Sequence, residues 1–219
     1  MGGLRAEQNQ QSLTRFRTHK TGALLAYLAY FPDRLHPRDA LADLLWPEDA
    51  PEDARASLRT ALNSLRKQLE PPGVPAQSVL VTDRSFIRLK KEVITTDVGL
   101  LGAALQEARQ AVEAPVRAGH LSRAVQIYRG ELLPGFYEDW VLQGRRQLEE
   151  AYAGALRQLR AYHEEVGDLT QALDYALRTV ALDAISEEAH VDVIRLFRKA
   201  GRPKEAIQQY DVLTHLLQE

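Results

Sequence analysis

The sequence predicts a mainly α protein with two domains, residues 1–96 and 97–219, and three observations predict it. Three helical patterns come first, and two short β-rich runs around a tight loop follow them. The rest of the chain is helical in pattern and repeats one ten-residue motif three times. A chain of 219 residues is also long enough to form two compact cores.

A strand pair and a first helix are predicted at the N-terminus. Residues 1–17 alternate weakly between apolar and polar around the turn-like segment Gln8–Gln11, which predicts two short strands. The apolar run Leu24–Pro32 predicts a helix with Thr21 as its N-cap. Lys20, Thr21 and the free backbone N–H groups at this helix start can bind a phosphate. An ordinary N-cap explains the same residues at least as well.

Two more helices are punctuated by prolines. Pro37 is expected at the first position of a second helix, which runs to Pro47. Asp49 or Ala50 is expected to cap a third helix over about residues 51–69, which the segment Pro71-Pro72-Gly73 closes.

A β-hairpin is predicted directly after the third helix. Val79–Thr82 and Phe86–Leu89 are β-rich, and the three residues Asp83-Arg84-Ser85 lie between them. Three helices followed by a hairpin is the order of a winged helix-turn-helix domain, in which the hairpin is the wing.

The second domain carries an internal repeat. Gly119–Tyr128, Gly167–Ala176 and Gly201–Tyr210 each have glycine first, alanine sixth and an aliphatic residue seventh. The second and third copies are 34 residues apart, which is the tetratricopeptide period, and the longer first spacing contains the insertion Glu131–Val141. The glycine suits a turn between paired helices, and the alanine lets helices approach closely. An all-α, tetratricopeptide-like domain is therefore expected.

The charges divide along the chain. Residues 1–96 contain 14 Lys and Arg against 11 Asp and Glu, whereas residues 97–219 contain 14 against 19. Within the first domain, Ala54–Lys91 holds eight cations and two acids, Glu70 and Asp83. This stretch can meet phosphate, while the acidic surplus argues against direct DNA contact by the second domain.

Several classes of function are disfavoured by composition. The absence of cysteine removes disulfides, cysteine-ligated zinc and thiol catalysis. No apolar run approaches the roughly 20 residues that span a bilayer, and residues 1–11 have no signal-peptide core, so a cytoplasmic protein without membrane partners is expected. Phosphate-loop, dinucleotide, nucleophile-elbow and zinc-protease motifs are missing, and the six histidines lack ligand spacing. We expect no enzyme, no cofactor and no metal site.

Four segments together resemble one family. They are RDALADLLWP (38–47), ARASLRTALNSLRKQL (54–69), TTDVGLL (95–101) and ELLPGFYEDWV (131–141). The combination resembles the Streptomyces antibiotic regulatory protein (SARP) family, which joins a response-regulator-type (OmpR-type) winged helix to a bacterial transcriptional activator domain. The resemblance implies binding to direct repeats in promoter DNA, with RNA polymerase or its sigma factor as protein partner.

The resemblance also carries two expectations about the second half of the chain. The sequence stops inside the last predicted helix, so a longer protein with downstream domains is expected. Phe136, Tyr137 and Trp140 are expected to be core anchors rather than ligand contacts, near the junction of the two domains.

In such a fold the third helix would enter the DNA major groove, and helical spacing nominates its contacts. One apolar stripe is expected to pack under the first two helices, and it consists of Ala54, Leu58, Ala61, Leu62, Leu65 and Leu69. The opposite face holds Ala56, Arg59, Thr60, Asn63 and Lys67.

Each of these side chains suits a particular group on DNA. Arg59 can bind guanine and Asn63 adenine through two hydrogen bonds each, and Ala56 and the Thr60 methyl group can contact thymine methyls. Lys67 suits a phosphate. A solvated helix surface remains the alternative interpretation of every residue on this face.

The flanking cations and the wing supply further candidates. Arg66 can reach a phosphate, whereas Arg55 is expected to form a structural ion pair. At the wing tip, Arg84 can enter the narrow minor groove and Ser85 can donate to a phosphate. Behind the tip, Lys90 and Lys91 suit either phosphate contact or protection of an edge strand against aggregation.

The leading hypothesis is thus a sequence-specific DNA-binding transcription activator. The alternative is a tetratricopeptide-type scaffold whose winged helix binds protein rather than DNA. A third interpretation, a ligand-gated sensor, requires a polar-lined cavity that sequence does not reveal.

Overall fold

A computed structural model of the protein describes residues 1–8 and 11–218, with the backbone alone at Gln11. The predicted turn at Asn9 and Gln10 lies outside the described residues. The chain divides into two compact units. The first unit contains residues 2–99 and 133–136, and the second contains residue 1, residues 100–132 and residues 137–219.

The first unit has the predicted order of three helices and a hairpin. Its elements are β1 (Ala6–Gln8), β2 (Gln11–Leu13), α1 (His19–Tyr30), β3 (His36–Pro37), α2 (Arg38–Leu45), α3 (Pro51–Leu69), β4 (Leu80–Thr82), β5 (Phe86–Leu89) and a 3-10 turn (Lys91–Val93). Strands β1 and β2 pair antiparallel, and a three-stranded sheet has the order β3-β5-β4. The winged helix-turn-helix prediction is confirmed.

Two predicted helix starts are wrong by a few residues. Helix α1 begins at His19 and is capped by Thr18, whose Oγ1 accepts a hydrogen bond from the Thr21 N–H at 3.1 Å. Thr18 has the extended backbone that an N-cap requires, and the amide it satisfies lies three residues further on. Thr21 is therefore not the cap but part of the first helical turn.

Pro37 is the N-cap of α2 rather than its first helical residue. Its extended ψ of 136° belongs to the two-residue strand β3, in which His36 lies opposite Ile87 and Pro37 opposite Phe86. This strand was not predicted, because two residues provide no alternation.

The core of the first unit forms where the helical spacing predicts it. The six residues of the predicted apolar stripe on α3 are the six buried residues of that helix. They pack with leucines of α1 and α2 and with Leu80, Ile87 and Leu89 of the sheet. Burial of each such leucine contributes about 1.5–3 kcal/mol relative to an exposed one. The opposite face of α3 is consequently held outward.

The second unit is helical, as predicted. Its helices are α4 (Asp97–Gln110, which begins in the first unit), α5 (Ala114–Ile127), α6 (Asp139–Glu165), α7 (Leu169–Leu182), α8 (Glu187–Lys199) and α9 (Pro203–Leu216). From α5 onward each helix packs against the next one in sequence. In this unit, buried apolar side chains cluster among α4 to α7 and among α7 to α9.

The repeat prediction is confirmed at two of its three glycines. Gly167 and Gly201 lie in turns with φ of 84° and 71°, a conformation that glycine adopts readily. Gly119 instead lies inside α5, so the turn predicted there is wrong. The alanines at the sixth position of the repeat are all buried, in agreement with their predicted packing role, and they are Ala124, Ala172 and Ala206.

A network of ion pairs joins α6 to α8. The Glu164 carboxylate accepts hydrogen bonds from Arg195, one of them at 2.9 Å, and from Lys199 at 3.3 Å. Asp192 joins the network through Arg160 at 2.9 Å and Arg195 at 3.1 Å. The hydrogen bonds from Arg195 lower the pKa of Glu164 to about 2. Lys199 also lowers this pKa, whereas partial burial of the carboxylate raises it by less.

Glu164→Gln is expected to destabilise the protein at neutral pH and to have little effect in acid. Because the pKa of Glu164 is lower in the folded chain than in the unfolded one, its stabilisation is fully present above pH 4.5. It is lost as the pH falls toward 2. Thermal unfolding of both proteins across this range measures the difference. Glu165→Gln, at an exposed neighbour, is the control, and a pH-independent gap would contradict the prediction.

Candidate nucleic-acid interface

Helix α3 presents the five predicted side chains on its exposed face. Ala56, Arg59, Thr60, Asn63 and Lys67 are all exposed. The Thr60 hydroxyl donates to the Ala56 carbonyl oxygen at 3.1 Å, which leaves its methyl group for apolar contact. Within the described part of the chain, the side chains of Arg59, Asn63 and Lys67 make no hydrogen bond or ion pair, so their polar groups are available to a ligand.

Arg55 forms the predicted structural ion pair. Its Nε lies 2.8 Å from Asp39 Oδ1, which links the start of α3 to the start of α2. The hydrogen bond to Asp39 raises the pKa of Arg55 above its ordinary value. Both side chains are more than half exposed, so the pair adds only a small contribution to the packing of the two helices.

Arg66 is committed to the protein rather than directed to solvent. Its Nη2 donates to Thr82 Oγ1 at 2.6 Å, and its Nε lies 3.9 Å from a Glu70 carboxylate oxygen. These contacts connect the last turns of α3 to strand β4. The guanidinium group that we expected at a phosphate therefore holds the wing strand.

Glu70 organises the entry to the wing. Its side chain is 1% exposed, and its carboxylate accepts hydrogen bonds from the N–H groups of Gln77, Val79 and Leu80, each at 2.9 Å. Burial alone raises the pKa of this carboxyl, but the three N–H donors and Arg66 outweigh burial, so its pKa lies below the usual value. This role of Glu70 was not predicted from the sequence.

The wing tip is equally well fixed. The Asp83 carboxylate accepts from the N–H groups of Phe86 at 2.7 Å and Ser85 at 2.6 Å, and these bonds lower its pKa. Arg38 donates its backbone N–H to Ser85 O at 2.9 Å and its Nη1 to Asp83 O at 3.2 Å. Arg84 and Ser85 are thereby exposed on a defined turn.

Glu70 and Asp83 are the two acids of the basic stretch identified in the sequence. Both serve the wing, so neither lies as a free negative charge on the face that carries Arg59 and Lys67.

A groove of about 480 Å³ lies between the wing tip and the starts of α2 and α3. Four arginines and one acid line it, and the full set is Pro37, Arg38, Asp39, Arg55, Leu58, Arg59, Arg84, Ser85 and Phe86. The predicted residues Arg59 and Arg84 thus meet in one groove. Arg38 and the exposed ring of Phe86 were not predicted, because the pairing of β3 with β5 brings them there.

Thr21 is not available for the phosphate contact that was predicted at the start of α1. Thr21 is 1% exposed and its N–H is bonded to Thr18, so neither group can contact a ligand. Lys20 is half-buried. His19, beside it, stacks on Phe136 with ring centroids 4.2 Å apart.

The other flanking predictions have mixed outcomes. Lys91 pairs with Asp33 at 2.7 Å, which gives it a structural partner. Phe136 packs against the core of the first unit and Trp140 is buried in the second, as expected of anchors. Tyr137 is 74% exposed, so its assignment as an anchor is wrong.

Two further properties concern the described residues as a whole. They contain no cluster of three potential metal ligands. Among their helices, none combines the length and the apolar character needed to cross a membrane.

The fold defines a winged helix whose third helix has an exposed face with basic residues, joined to a helical domain. Comparison with known proteins agrees. The family model for the bacterial transcriptional activator domain matches residues 96–219, and the model for the C-terminal domain of transcriptional regulatory proteins matches residues 15–86. The chain belongs to the bacterial transcriptional activator domain family and has the SARP-type combination of domains.

Named relatives are transcriptional regulators rather than enzymes. The regulatory protein AfsR of Streptomyces griseus is 27% identical over 203 residues, which are 90% of this chain and 20% of AfsR. The transcriptional regulatory protein EmbR of Mycobacterium tuberculosis is 34% identical over 119 residues, which are 53% of this chain and 31% of EmbR. The chain thus spans a minor part of these relatives.

A solved structure has the same fold. The chain of M. tuberculosis EmbR, solved in complex with a low-affinity phosphopeptide, superposes with a TM-score of 0.79 at 24% identity. The match covers 100% of this chain and 59% of the EmbR chain. It supports the winged-helix and all-α architecture described above.

Proposed function

We propose that this protein is a sequence-specific DNA-binding transcription activator that reads promoter direct repeats. The proposal rests on the outward face of α3, where Arg59, Asn63 and Lys67 have no partner among the described residues, while the apolar stripe on the opposite face of the helix is buried. Polar side chains on one face of a helix beside a basic groove suit the major groove and its flanking phosphates.

Base recognition falls to the middle of this face. Arg59 donates to guanine O6 and N7, and Asn63 bonds adenine at N6 and N7, since these are the pairs of groups that each side chain matches. Ala56 and the Thr60 methyl group contact thymine methyls. Lys67, one turn beyond Asn63, binds a phosphate and adds affinity without sequence preference.

The wing binds the neighbouring minor groove or its backbone. Arg84 is exposed on a turn that Asp83 and Arg38 hold, so its guanidinium can be inserted at low entropic cost. Ser85 donates to a phosphate, and Lys20 remains a flanking phosphate contact. The four arginines of the groove attract the DNA strand that passes between α3 and the wing.

The helical second unit contacts the transcription machinery, for which RNA polymerase or its sigma factor is the proposed partner. Its sequence has an acidic surplus, with 14 Lys and Arg against 19 Asp and Glu over residues 97–219. That charge favours protein contact over contact with DNA.

Binding to random-sequence duplex is expected to fall steeply with salt. Every phosphate that the protein neutralises releases counterions, and about six contacts would cost on the order of 10³-fold in affinity between roughly 50 and 200 mM salt. An electrophoretic mobility shift at these two salt concentrations measures the slope. Arg157→Ala, which removes an exposed arginine of the second unit, should leave the affinity and its salt dependence unchanged.

Absence of binding even at low salt would contradict the proposal. That outcome would favour the alternative function, a protein-interaction scaffold whose winged helix does not bind DNA.

A further inference from the structure

We propose that a groove in the second unit, formed by α4, α5 and α6, binds a peptide segment of a partner protein that carries a bulky apolar side chain next to a carboxylate. The groove has a volume of about 380 Å³, within the range of ligand sites in proteins. Its lining is Leu105, Ala108, Arg109, Arg117, Leu121, Ala151, Gly154, Ala155 and Gln158. This inference rests on the proposed role of the second unit in contacting a partner protein.

The floor of the groove is apolar and made of short side chains. Ala108, Leu121 and Ala155 are buried beneath it, and Gly154 on α6 contributes no side chain at all. A Cβ atom placed on Gly154 would meet no other atom within 4 Å. The space above Gly154 is therefore open to a side chain from another molecule, and an apolar one would exclude water from an apolar floor.

The charge of the residues that line the groove indicates that the partner also carries an anionic group. Two arginines and no acid line the groove, although the domain around it is acidic. Glu107, the acid of α4 nearest to Arg109, is engaged elsewhere, since it pairs with His120 at 3.0 Å and with Arg123. An anionic group on the partner would thus meet two arginines and no carboxylate among the residues that line the groove.

Arg117 is held in place for this contact. It donates from Nε and Nη2 to the carbonyl oxygen of Ala111 at 3.3 and 3.0 Å, just beyond the end of α4, and Nη1 makes neither of these bonds. A guanidinium fixed in this way loses little entropy when it binds a carboxylate. In the same loop Val112 is 91% exposed, and its carbonyl oxygen lies 3.5 Å from Arg117 Nη2.

The test uses substitutions that fill the groove without removing any native contact. Gly154→Leu places a side chain in the open space, and it also replaces a helical glycine by a better helix former, so the protein should fold. Gly119→Leu is the matched control. Gly119 is likewise helical and open at its Cβ position, but it is exposed where Gly154 is half-buried, and it does not line the groove.

The probes are three sets of short fluorescent peptides in a Gly/Ser background, measured by anisotropy. Each peptide carries Leu, Phe or Trp next to Asp or Glu in the first set, Lys in the second and phosphoserine in the third. We expect binding of the acidic set and a preference for it over the lysine set. Gly154→Leu should weaken that binding about tenfold or more. Arg109→Glu should reverse the charge preference, and Gly119→Leu should bind as the unmodified protein does.

Several results would overturn the proposal. They are no binding of the acidic set, equal binding of the acidic and lysine sets, binding restricted to the phosphoserine set, or equal losses in Gly154→Leu and Gly119→Leu. Duplex binding by the same proteins keeps this test separate from that of DNA recognition. Failure of the unmodified protein to bind duplex would remove the proposed DNA function, whereas failure of the peptides alone would remove only the groove.

Discussion

Arg59→Ala is expected to lower affinity for a preferred duplex by about 1–3 kcal/mol and to leave affinity for a scrambled duplex almost unchanged. The Arg59 guanidinium is exposed and without a protein partner, so its loss disturbs no contact within the fold. A bidentate contact to guanine is lost on the preferred site, whereas a scrambled site never offers it. The preferred duplex is first obtained by repeated selection from a random library, and binding isotherms on both duplexes give the two affinities.

Lys67→Ala provides the contrast. Lys67 is expected to bind a phosphate, so its loss should weaken binding to both duplexes alike and reduce the salt slope by about one. Asn63→Ala should behave as Arg59→Ala does, with the loss confined to a different base pair. Equal losses on both duplexes for Arg59→Ala would remove Arg59 from base recognition.

The main features of the first unit could be predicted because they depend on local periodicity. The stripe from Ala54 to Leu69 follows the helical repeat over a long helix, so its burial and the exposure of the opposite face come from the same spacing. The wing was predictable because two β-rich runs flank a short polar loop. Strand β3 was not, since its two residues become a strand only by pairing with β5.

The site was predicted less completely than the fold, for a physical reason. Helical spacing says which face of α3 points outward, but it does not say which polar groups find partners within the fold. Thr21 was misjudged in this way, since Thr18 engages its N–H, and the bond from Arg66 to Thr82 was likewise not predicted. Arg38 was missed because its position beside the wing depends on tertiary pairing. The first-copy glycine, Gly119, shows the same limit in the second unit, where a repeated residue lies within a helix rather than a turn.

Among the residues whose role was not predicted, Glu70 is expected to affect the stability of the first unit most when it is substituted. Its carboxylate satisfies three backbone N–H groups at the entry to the wing, and Arg66 beside it bonds to β4. The wing is thereby attached to the C-terminal end of α3, while Arg38 attaches its tip to α2. The wing is thus linked to the helices at both ends of the hairpin, which is what the proposed contact with neighbouring grooves requires.

Glu70→Ala is expected to destabilise the first unit by about 3 kcal/mol, because it leaves buried N–H donors without an acceptor. Glu70→Gln, which keeps one acceptor oxygen, should cost less. The pKa of Glu70 is lower in the folded state than in the unfolded one. The loss of stability in each Glu70 variant, relative to the unmodified protein, should therefore be largest above pH 4.5 and should shrink as the pH falls below it. Urea unfolding followed by Trp46 fluorescence reports on this unit, in a Trp140→Phe background that removes the tryptophan of the second unit.

A stability loss alone would fit any buried hydrogen-bonded carboxylate, so the decisive measurement concerns the wing. If Glu70 positions the wing, Arg84→Ala should weaken duplex binding when Glu70 is present. The same substitution should have a much smaller effect on binding in a protein that also carries Glu70→Gln. Both comparisons are made under conditions where all the proteins are folded. Glu92→Gln, at an exposed acid just after the hairpin, should leave the Arg84→Ala effect intact. Additive losses from Glu70→Gln and Arg84→Ala would instead mean that the wing keeps its position without this carboxylate. In that case the Arg38 attachment at the tip would be sufficient to position the wing.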